Sequence, residues 1–388
     1  MGFFIYRLMK LQPTSVISFA LFLITLAVNI SMPLFRPYAE LAGFNNGQTA
    51  LVLATYILGM LPCYVFLGGI SDRIGRKPVL LFSLFLALAS NLTITLFPTV
   101  YALIIARFFQ GVALALSMGT GTAYISEIVH PNADASVRAA NATSMATAIG
   151  FSGGAFMTSI ALLIHFSYLP FTYFIAIGIT VIGIILAFLL PKLPPIGGNL
   201  VRLPYFPEGY FPVNLSIAIC WATTGVVIAI IPTQLATFHL TAYAGFCLVL
   251  INWTGGFMQP FIRKRFQPKT SLKLGFAIIP FGFGLVIVGS YFGFLPVVLL
   301  GTAFIGLAAY GFSYQGGLAI IADLGGSQKA RAVSGYMFFG YVGFGIPAVV
   351  LGFLADSIGI INSLVVFEVL ILLLSGYLYF TFDRPKNR

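Results

Sequence analysis

Long apolar stretches separated by short polar ones fill this chain from one end to the other. Twelve of them have about the 20 residues that a helix needs to cross a bilayer. Their predicted positions are 15–36, 48–69, 78–97, 100–124, 138–163, 170–190, 212–236, 243–262, 273–292, 296–320, 331–355 and 360–381. Because the stretches are continuous rather than alternating, a closed membrane barrel is excluded. The pattern predicts an all-α membrane protein with twelve transmembrane helices.

Composition supports the same class, since 59% of the 388 residues are hydrophobic and only 7% are charged. The first apolar stretch is too long for the core of a signal peptide, so we expect a retained helix. Cys63, Cys220 and Cys247 all lie inside apolar stretches, where cysteine acts as a small hydrophobic residue. Neither a disulfide nor a metal site is expected.

The positive charges predict the orientation in the membrane. Every Lys and Arg except Arg36 and Arg107 lies in the N-terminal segment, the tail or alternate loops. Such loops face the cytoplasm, so we expect both termini to be cytoplasmic and the protein to lie in the cytoplasmic (inner) membrane. The net charge of +11 then reflects topology and contact with anionic lipids, and nucleic-acid binding is not expected.

The longest connection, 191–211, is rich in Pro and Gly and lies in the middle of the chain. It predicts an N-terminal six-helix bundle at 1–190, a cytoplasmic linker at 191–211 and a C-terminal six-helix bundle at 212–388. Short sequences recur between the halves: Gly68-Gly69 as Gly255-Gly256, Arg76-Lys77 as Arg263-Lys264, and Arg138 with Gly150-Phe151 as Arg331 with Gly343-Phe344. In this match Asp72 corresponds to Gln259. Glycines in helices 5 and 11 are expected to pack against partners in the opposite half.

The most polar loop, 68–77, resembles the loop between helices 2 and 3 of the major facilitator superfamily. That pattern is Gly, three residues, Asp-Arg, any residue, then Gly-Arg and Lys or Arg. The residues that fit it are Gly68, Asp72, Arg73, Gly75, Arg76 and Lys77. Twelve spans and a central loop extend the resemblance over the whole chain. The resemblance implies a fold of two pseudo-symmetric six-helix bundles. The segment from Arg107 to Gly111 resembles an Arg-x-x-x-Gly element of the proton-coupled members, particularly the 12-helix drug:proton antiporters.

The resemblance assigns the charged loop a role as a conformational latch. The predicted latch residues are Gly68, Asp72, Arg73, Gly75, Arg76, Lys77, Glu127 and Arg138. Asp72 is expected to accept hydrogen bonds from the start of helix 11, near Arg331, and the cations to pair with Glu127, other loop acids or lipid phosphates. The alternative is that the cations only set topology.

Four further charged residues are candidates for coupling or substrate binding. Arg107 lies inside helix 4, where a buried cation needs a partner or a wet cavity; the alternative is a structural tie to Gln110 and backbone. Glu368 lies deep in helix 12 and is expected either to carry a proton or contact a cationic ligand, or to support the periphery. Arg36 and Glu40 are spaced to form an exposed ion pair, with an outer-gate role as the alternative.

If the family arrangement holds, helices 1, 4, 7 and 10 line a central cavity. The polar and aromatic candidates there are Asn29, Gln110, Ser117, Trp221, Thr224, Gln234, Tyr310, Tyr314 and Gln315. Such a lining suits a medium-sized amphipathic organic molecule better than a bare ion.

We expect a secondary active transporter that exports small amphipathic molecules in exchange for protons, by alternating access. An enzyme is not expected, nor is a cofactor beyond the proton gradient, and the protein is expected to act as a monomer. One alternative is a dedicated exporter of an anionic metabolite such as a siderophore. Another is a nutrient importer or uniporter. Drug antiporters of the superfamily carry a Gly-rich element ending in Gly-Pro in helix 5, and residues 150–154 of this chain have the glycines without the proline, which favours this alternative. A non-transporting receptor or scaffold is a further alternative.

Overall fold

The computed structural model describes residues 12–129 and 135–382, and regular structure in that part of the chain is entirely helical. The α-helices are α1 (Pro13–Asn29), α2 (Phe35–Leu41), α3 (Asn46–Phe66), α4 (Ile70–Ile74), α5 (Arg76–Leu96), α6 (Val100–Ile128), α7 (Ala135–Ile164), α8 (Thr172–Phe188), α9 (Tyr210–Ala236), α10 (Ala244–Arg265), α11 (Pro268–Phe292), α12 (Leu295–Gly306), α13 (Tyr314–Leu324), α14 (Lys329–Ile358) and α15 (Ile360–Thr381).

The predicted all-α membrane fold is confirmed. Within the described residues, eleven helical segments are long and apolar enough to cross a membrane, and the 17-residue α8 is a further apolar helix. Two spans are irregular. A short 3₁₀ turn at Met32–Leu34 separates α1 from α2, and a π-helix at Leu307–Ser313 joins α12 to α13. The cytoplasmic placement of the termini stays a prediction.

The chain forms two compact units. Unit 1 takes the described residues up to Ser31 together with Thr55–Arg202, and unit 2 takes Met32–Ala54 and the described residues from Leu203 onward. The chain passes from one unit to the other between Arg202 and Leu203, inside the predicted linker. The hydrophobicity pattern does not predict that Met32–Ala54 groups with unit 2.

Unit 1 is built around α1, which lies against α6, α7 and α8. Its core combines fully buried aliphatic residues of α1, such as Leu21 and Ile24, with Leu84 of α5 and Tyr124 of α6. The approach of α1 to α7 depends on Gly154, where a Cβ would lie 2.3 Å from the carbonyl oxygen of Leu26. Small residues allow such close backbone contact between membrane helices.

Unit 2 repeats this device between α9 and α14. A Cβ at Gly225 of α9 would lie 2.0 Å from the carbonyl oxygen of Phe344, so only glycine fits. Gly343 of α14 likewise approaches α9, since a Cβ there would lie 2.4 Å from the carbonyl oxygen of Ala218, so these glycines of α7 and α14 pack inside their own units. This differs from the expected packing against the opposite half, because the glycine-bearing faces are occupied by α1 and α9.

The linker is bound to both units by backbone hydrogen bonds. Gly69 donates to the Leu200 carbonyl at 2.9 Å, and Arg202 donates to the Val65 carbonyl at 3.1 Å, both in unit 1. In unit 2, Tyr205 donates to the Arg331 carbonyl at 3.0 Å. The segment is therefore an ordered part of the fold rather than a free tether.

Candidate functional site

The loop at 68–77 is shaped by two glycines. Gly69 lies against the linker, and a Cβ there would be 2.0 Å from the carbonyl oxygen of Asn199. After the single turn of α4, Gly75 adopts a φ of 95°, a left-handed conformation that favours glycine. The loop thereby turns the chain from α3 into α5 and holds Asp72 on its buried side.

Asp72 binds the linker with both its backbone and its side chain. Its carbonyl oxygen accepts hydrogen bonds from the backbone N–H groups of Ile196 and Gly197, each at 2.9 Å. Its carboxylate forms ion pairs with Arg76 and with Arg202. Arg202 is missing from the predicted latch set, because it lies 130 positions away in the sequence. The predicted partner, the start of helix 11, belongs to unit 2, and its pairing with Asp72 stays a prediction.

Arg76 is the buried cation at the centre of this cluster. It donates to Glu127 Oε1 from Nη2 at 2.6 Å and from Nε at 3.1 Å, and to Ser71 Oγ at 2.7 Å. Two carboxylates and a hydroxyl therefore satisfy one guanidinium, which offsets the cost of burying it. We call Asp72, Arg76, Glu127 and Arg202 the charge cluster.

The other predicted latch cations do different things. Lys77 Nζ donates to the carbonyls of Phe188 and Leu190, at 2.7 and 2.8 Å, where the negative end of the α8 dipole favours a cation. Arg73 is exposed. The side chain of Arg138 lies outside the described part of the chain.

Arg107 is almost completely buried within α6, at 1% exposure. Its Nη1 donates to the Val28 carbonyl of α1 at 2.6 Å and to Gln110 Oε1 at 3.0 Å. Its guanidinium carbon lies 4.5 Å from the ring centroid of Tyr56 in α3. These contacts with uncharged groups link three helices of unit 1 at one buried cation.

The remaining polar candidates of unit 1 bind nearby backbone. Asn29 Nδ2 donates to the Phe151 carbonyl at 2.9 Å, and Ser117 donates to the Leu114 carbonyl at 3.2 Å. The Nε2 of Gln110 has no hydrogen-bond partner within the described residues, although the residue is only 1% exposed. The Oε1 of Gln110 accepts from Arg107, while its Nε2 remains available as a donor beside Arg107.

In unit 2 the aromatic candidates come together. The ring of Trp221 lies 6.0 Å from that of Tyr310 and 4.9 Å from that of Tyr341, the latter edge-on. Thr224 and Gln234 donate to the carbonyls of Cys220 and Ser290, respectively. Tyr314 and Gln315 are half-buried in α13, and Gln315 lines a small cavity with Lys329.

The π-helix that carries Tyr310 is held by side chains from three other helices. Gln259 of α10 donates to the Tyr310 carbonyl at 3.1 Å, Ser271 of α11 to Phe312 at 2.8 Å, and Tyr336 of α14 to Ser313 at 3.1 Å. Wider turns displace carbonyls from the regular helical ladder, and such segments often occur at functional sites. Sequence reasoning selected Tyr310 but did not predict the π-helix, in which Ala308, Ala309, Gly311 and Ser313 are small.

Asp356 is a carboxylate that sequence reasoning missed. It lies near the end of α14 and accepts hydrogen bonds from the backbone N–H groups of Asn46 and Gly47, at 2.9 and 3.0 Å. These are the first residues of α3, where free N–H groups and the helix dipole favour an anion. Asp356 therefore caps the membrane helix whose other end leads into the 68–77 loop.

The remaining charged candidates, Arg36, Glu40 and Glu368, belong to unit 2, whereas Arg107 belongs to unit 1. Arg36 and Glu40 form an ion pair at 2.6 Å that is partly exposed, with side-chain exposures of 22% and 52%. An exposed pair of this kind contributes little to stability. Glu368 lines a groove between α11 and α15. No group of three or more potential metal ligands occurs among the residues that the structure describes.

The family model of the Major Facilitator Superfamily matches residues 17–279 of this chain. An uncharacterized transporter, BU588 of Buchnera aphidicola, is 30% identical over 29% of this chain and 27% of its own length. The multidrug resistance protein MdtL of Shewanella oneidensis is 25% identical over 60% of this chain and 61% of its own length. Each match spans less than two thirds of the relative concerned.

A solved structure extends the likeness over the whole fold. The nucleoside transporter NupG aligns with a TM-score of 0.80 over 96% of this chain and 100% of its own, at 14% identity. At that identity the likeness shows the fold alone. Together with the family match over most of the chain, the helical architecture leads to one conclusion: this chain belongs to the Major Facilitator Superfamily of membrane transporters.

Proposed function

We propose that this transporter exports small amphipathic organic molecules in exchange for protons, by alternating access between its two bundles. The observation that carries the proposal is Arg107, a buried cation in a membrane helix with a carbonyl, an amide and a ring around it. Placing an arginine in hydrocarbon costs several kcal/mol, so such residues mark ion and substrate pathways. Similarity to MdtL, whose name describes multidrug resistance, supports export.

Coupling would act through the contacts of Arg107. The Val28 carbonyl and the Gln110 amide, which accept from its guanidinium, are neutral, so an anion such as a substrate carboxylate would compete effectively with them. Gln110 supplies an available Nε2 beside it. Protonation of that competing anion would return Arg107 to the Val28 carbonyl and Gln110. The equilibrium between the outward-open and inward-open states would shift as a result.

The charge cluster supports the alternating-access part of the proposal. Asp72 attaches the linker to unit 1 through its ion pair with Arg202 and through the hydrogen bonds that its carbonyl accepts from Ile196 and Gly197. Breaking the ion pair would release the side chain of Arg202 and leave the linker held by backbone hydrogen bonds alone, so the cluster would act as a latch on the linker. We place the protein in the inner membrane as a monomer, with both termini cytoplasmic.

Organic rather than inorganic cargo is supported by the aromatic residues of unit 2. Trp221 with Tyr310 and Tyr341 offers flat apolar faces and few polar groups. Such a surface binds rings through stacking and burial, and its limited hydrogen bonding tolerates varied compounds.

Proteoliposome flux tests the proposal directly. The purified full chain is reconstituted, a library of amphipathic compounds is screened, and the pH gradient is applied in either direction. We expect counterflow of compound and protons in the wild type, and loss of the gradient dependence in Arg107→Ala. Arg265→Ala, which removes an exposed arginine from the last turn of α10, is the control and should behave like the wild type.

Other outcomes would replace the proposal. Uptake driven without an opposing proton gradient would establish a nutrient importer or uniporter. Transport restricted to anionic compounds would establish a dedicated metabolite exporter with Arg107 as its anion site. Gradient dependence that survives in Arg107→Ala would remove this residue from coupling.

A further inference from the structure

A groove of about 650 Å³ runs between α11 and α15 in unit 2. Its lining recurs every three or four residues on each helix, which places it on one face of each. Both helices are membrane spans, and residues along the groove such as Phe281 and Phe380 are 58% and 74% exposed. The groove therefore opens toward the hydrocarbon layer.

Glycines keep the groove open. A Cβ added at Gly376 would meet nothing within 4 Å, and one at Gly284 would meet Glu368 Oε1 at 3.6 Å, an ordinary contact distance. The space is thus free of side chains directly beside a carboxylate. Its volume of about 650 Å³ is within the range of sites for medium-sized organic molecules.

Glu368 is the charged group of this otherwise apolar groove. It is the ninth residue of α15, so it lies about 12 Å along the helix from its first residue. That depth is within the hydrocarbon core, which is about 30 Å thick. Its Oε2 and the Ser375 hydroxyl have no hydrogen-bond partner in the described part of the chain, and neither ion pairs nor hydrogen bonds recorded there include Glu368. A carboxylate in such a place needs a cation or a proton.

The nearest cation along the groove does not fill this need. Lys273 lies over the ring of Tyr379 at 5.2 Å, and Tyr379 is eleven residues from Glu368, about 16 Å along α15. No described Asp, Glu, Arg or His lines the groove apart from Glu368 itself. Within the groove, therefore, no described residue supplies a positive charge for Glu368.

The geometry points to a binding site for lipophilic organic cations that enter from the hydrocarbon layer, with Glu368 as their counter-charge. A metal ion would need several oxygen ligands, whereas this groove supplies one carboxylate and a hydroxyl. A lipid amine headgroup stays at the membrane surface, too far from Glu368. Phe281, three residues before Gly284 on α11, adds an aromatic face that attracts organic cations. This site goes beyond the proposed transport function and does not depend on whether the bound cation is exported.

Equilibrium binding of tetraphenylphosphonium to the full chain in lipid nanodiscs tests the site, with empty nanodiscs as background. We expect saturable binding to the wild type and none of neutral triphenylphosphine oxide. Glu368→Gln keeps the shape and removes the charge, so affinity should fall by at least about ten-fold. Gly376→Leu should fill the groove and weaken binding by a similar factor.

Gly178→Leu is the matched control, because Gly178 is exposed on α8 of unit 1 and a Cβ there also meets nothing within 4 Å. It should bind the probe like the wild type. Absence of saturable binding to the wild type, equal affinity in Glu368→Gln, or equal affinities in Gly376→Leu and Gly178→Leu would each overturn the site. If Glu368→Gln does not fold, the two leucine variants still decide, because neither alters the carboxylate.

Discussion

Two ten-residue segments of this chain share their first two and last two residues and fold differently. Both 68–77 and 255–264 begin with two glycines and contain Arg-Lys at their ends. In the first, α3 has ended at Phe66, and the chain turns through α4 and Gly75 before α5 begins. In the second, α10 continues without a break from Ala244 to Arg265. The sequence match therefore does not align structurally equivalent positions.

The difference shows what each residue type is used for. Gly69 makes room for a linker carbonyl, whereas Gly255 makes room for the carbonyl of Gly306 in a neighbouring helix. Asp72 faces guanidinium groups, so a carboxylate suits it. Gln259 faces the Tyr310 carbonyl of the π-helix, where only a donor is useful. The surroundings, rather than the matched position, determine the residue.

The largest effect is expected from Asp72→Asn, which should abolish transport in proteoliposomes while the protein still folds. Asparagine keeps the shape, and the Asp72 carbonyl keeps its hydrogen bonds to Ile196 and Gly197, but the two ion pairs lose their anion. Asp323→Asn removes an exposed carboxylate from unit 2 and serves as the control. Transport at the wild-type rate would exclude a latch at Asp72.

Arg76→Ala and Arg263→Ala separate the two Arg-Lys pairs. Loss of Arg76 leaves Asp72 and Glu127 without their shared cation, and breaking a buried pair costs about 3–5 kcal/mol. Arg263 is exposed in the last turn of α10, so its loss should cost less than about 1 kcal/mol. Thermal unfolding in detergent measures both. Equal losses of stability would mean that the charge cluster adds nothing to the fold.

Gly255→Ala and Gly256→Ala test the packing role of the second segment. A Cβ at Gly255 would lie 2.4 Å from the Gly306 carbonyl oxygen, whereas one at Gly256 meets nothing within 4 Å. Overpacking of this kind costs about 1–3 kcal/mol, so only the first variant should lower the melting temperature. A similar melting temperature for the two variants would contradict the close contact between α10 and α12.

The smallest effect is expected from Gln259→Leu, which removes the donor to the Tyr310 carbonyl. An uncompensated buried carbonyl costs about 1–3 kcal/mol, reduced here by the half-buried setting to about 1 kcal/mol. Gln315→Leu, which replaces another half-buried glutamine at a small cavity, is the control. Amide hydrogen exchange over Leu307–Ser313 should increase in Gln259→Leu alone, and unchanged exchange would remove Gln259 from the support of the π-helix.

Local properties of the sequence predict much of this molecule. Apolar length predicts the spans, because a membrane requires about 20 such residues whatever their neighbours are. Arg107 stands out for the same reason, since a cation inside an apolar run is costly. The predicted latch pairs the cations of the 68–77 loop with Glu127, and in the structure Arg76 forms an ion pair with Glu127.

Long-range partners could not be predicted in this way. Arg202 meets Asp72 across 130 positions, and Asp356 meets Asn46 across 310. Neither pair leaves a periodic signal, because each depends on how loops fold back on helix ends. The π-helix likewise follows from side chains on three other helices, which no local pattern reveals.

The docking of the linker has a practical consequence for protein engineering. Residues 196–202 are held by Gly69, Asp72 and Val65, and they end where unit 1 ends. A fluorescent domain or protease site inserted among them would compete with those hydrogen bonds, although the segment looks like a permissive Pro- and Gly-rich connection. Insertion between Pro194 and Pro195 leaves that stretch whole, and it also spares the Pro191 carbonyl, which accepts from the Tyr124 hydroxyl, and the packed side chain of Leu193. The boundary between tolerated and disruptive insertions thus falls inside what sequence alone presents as one uniform spacer.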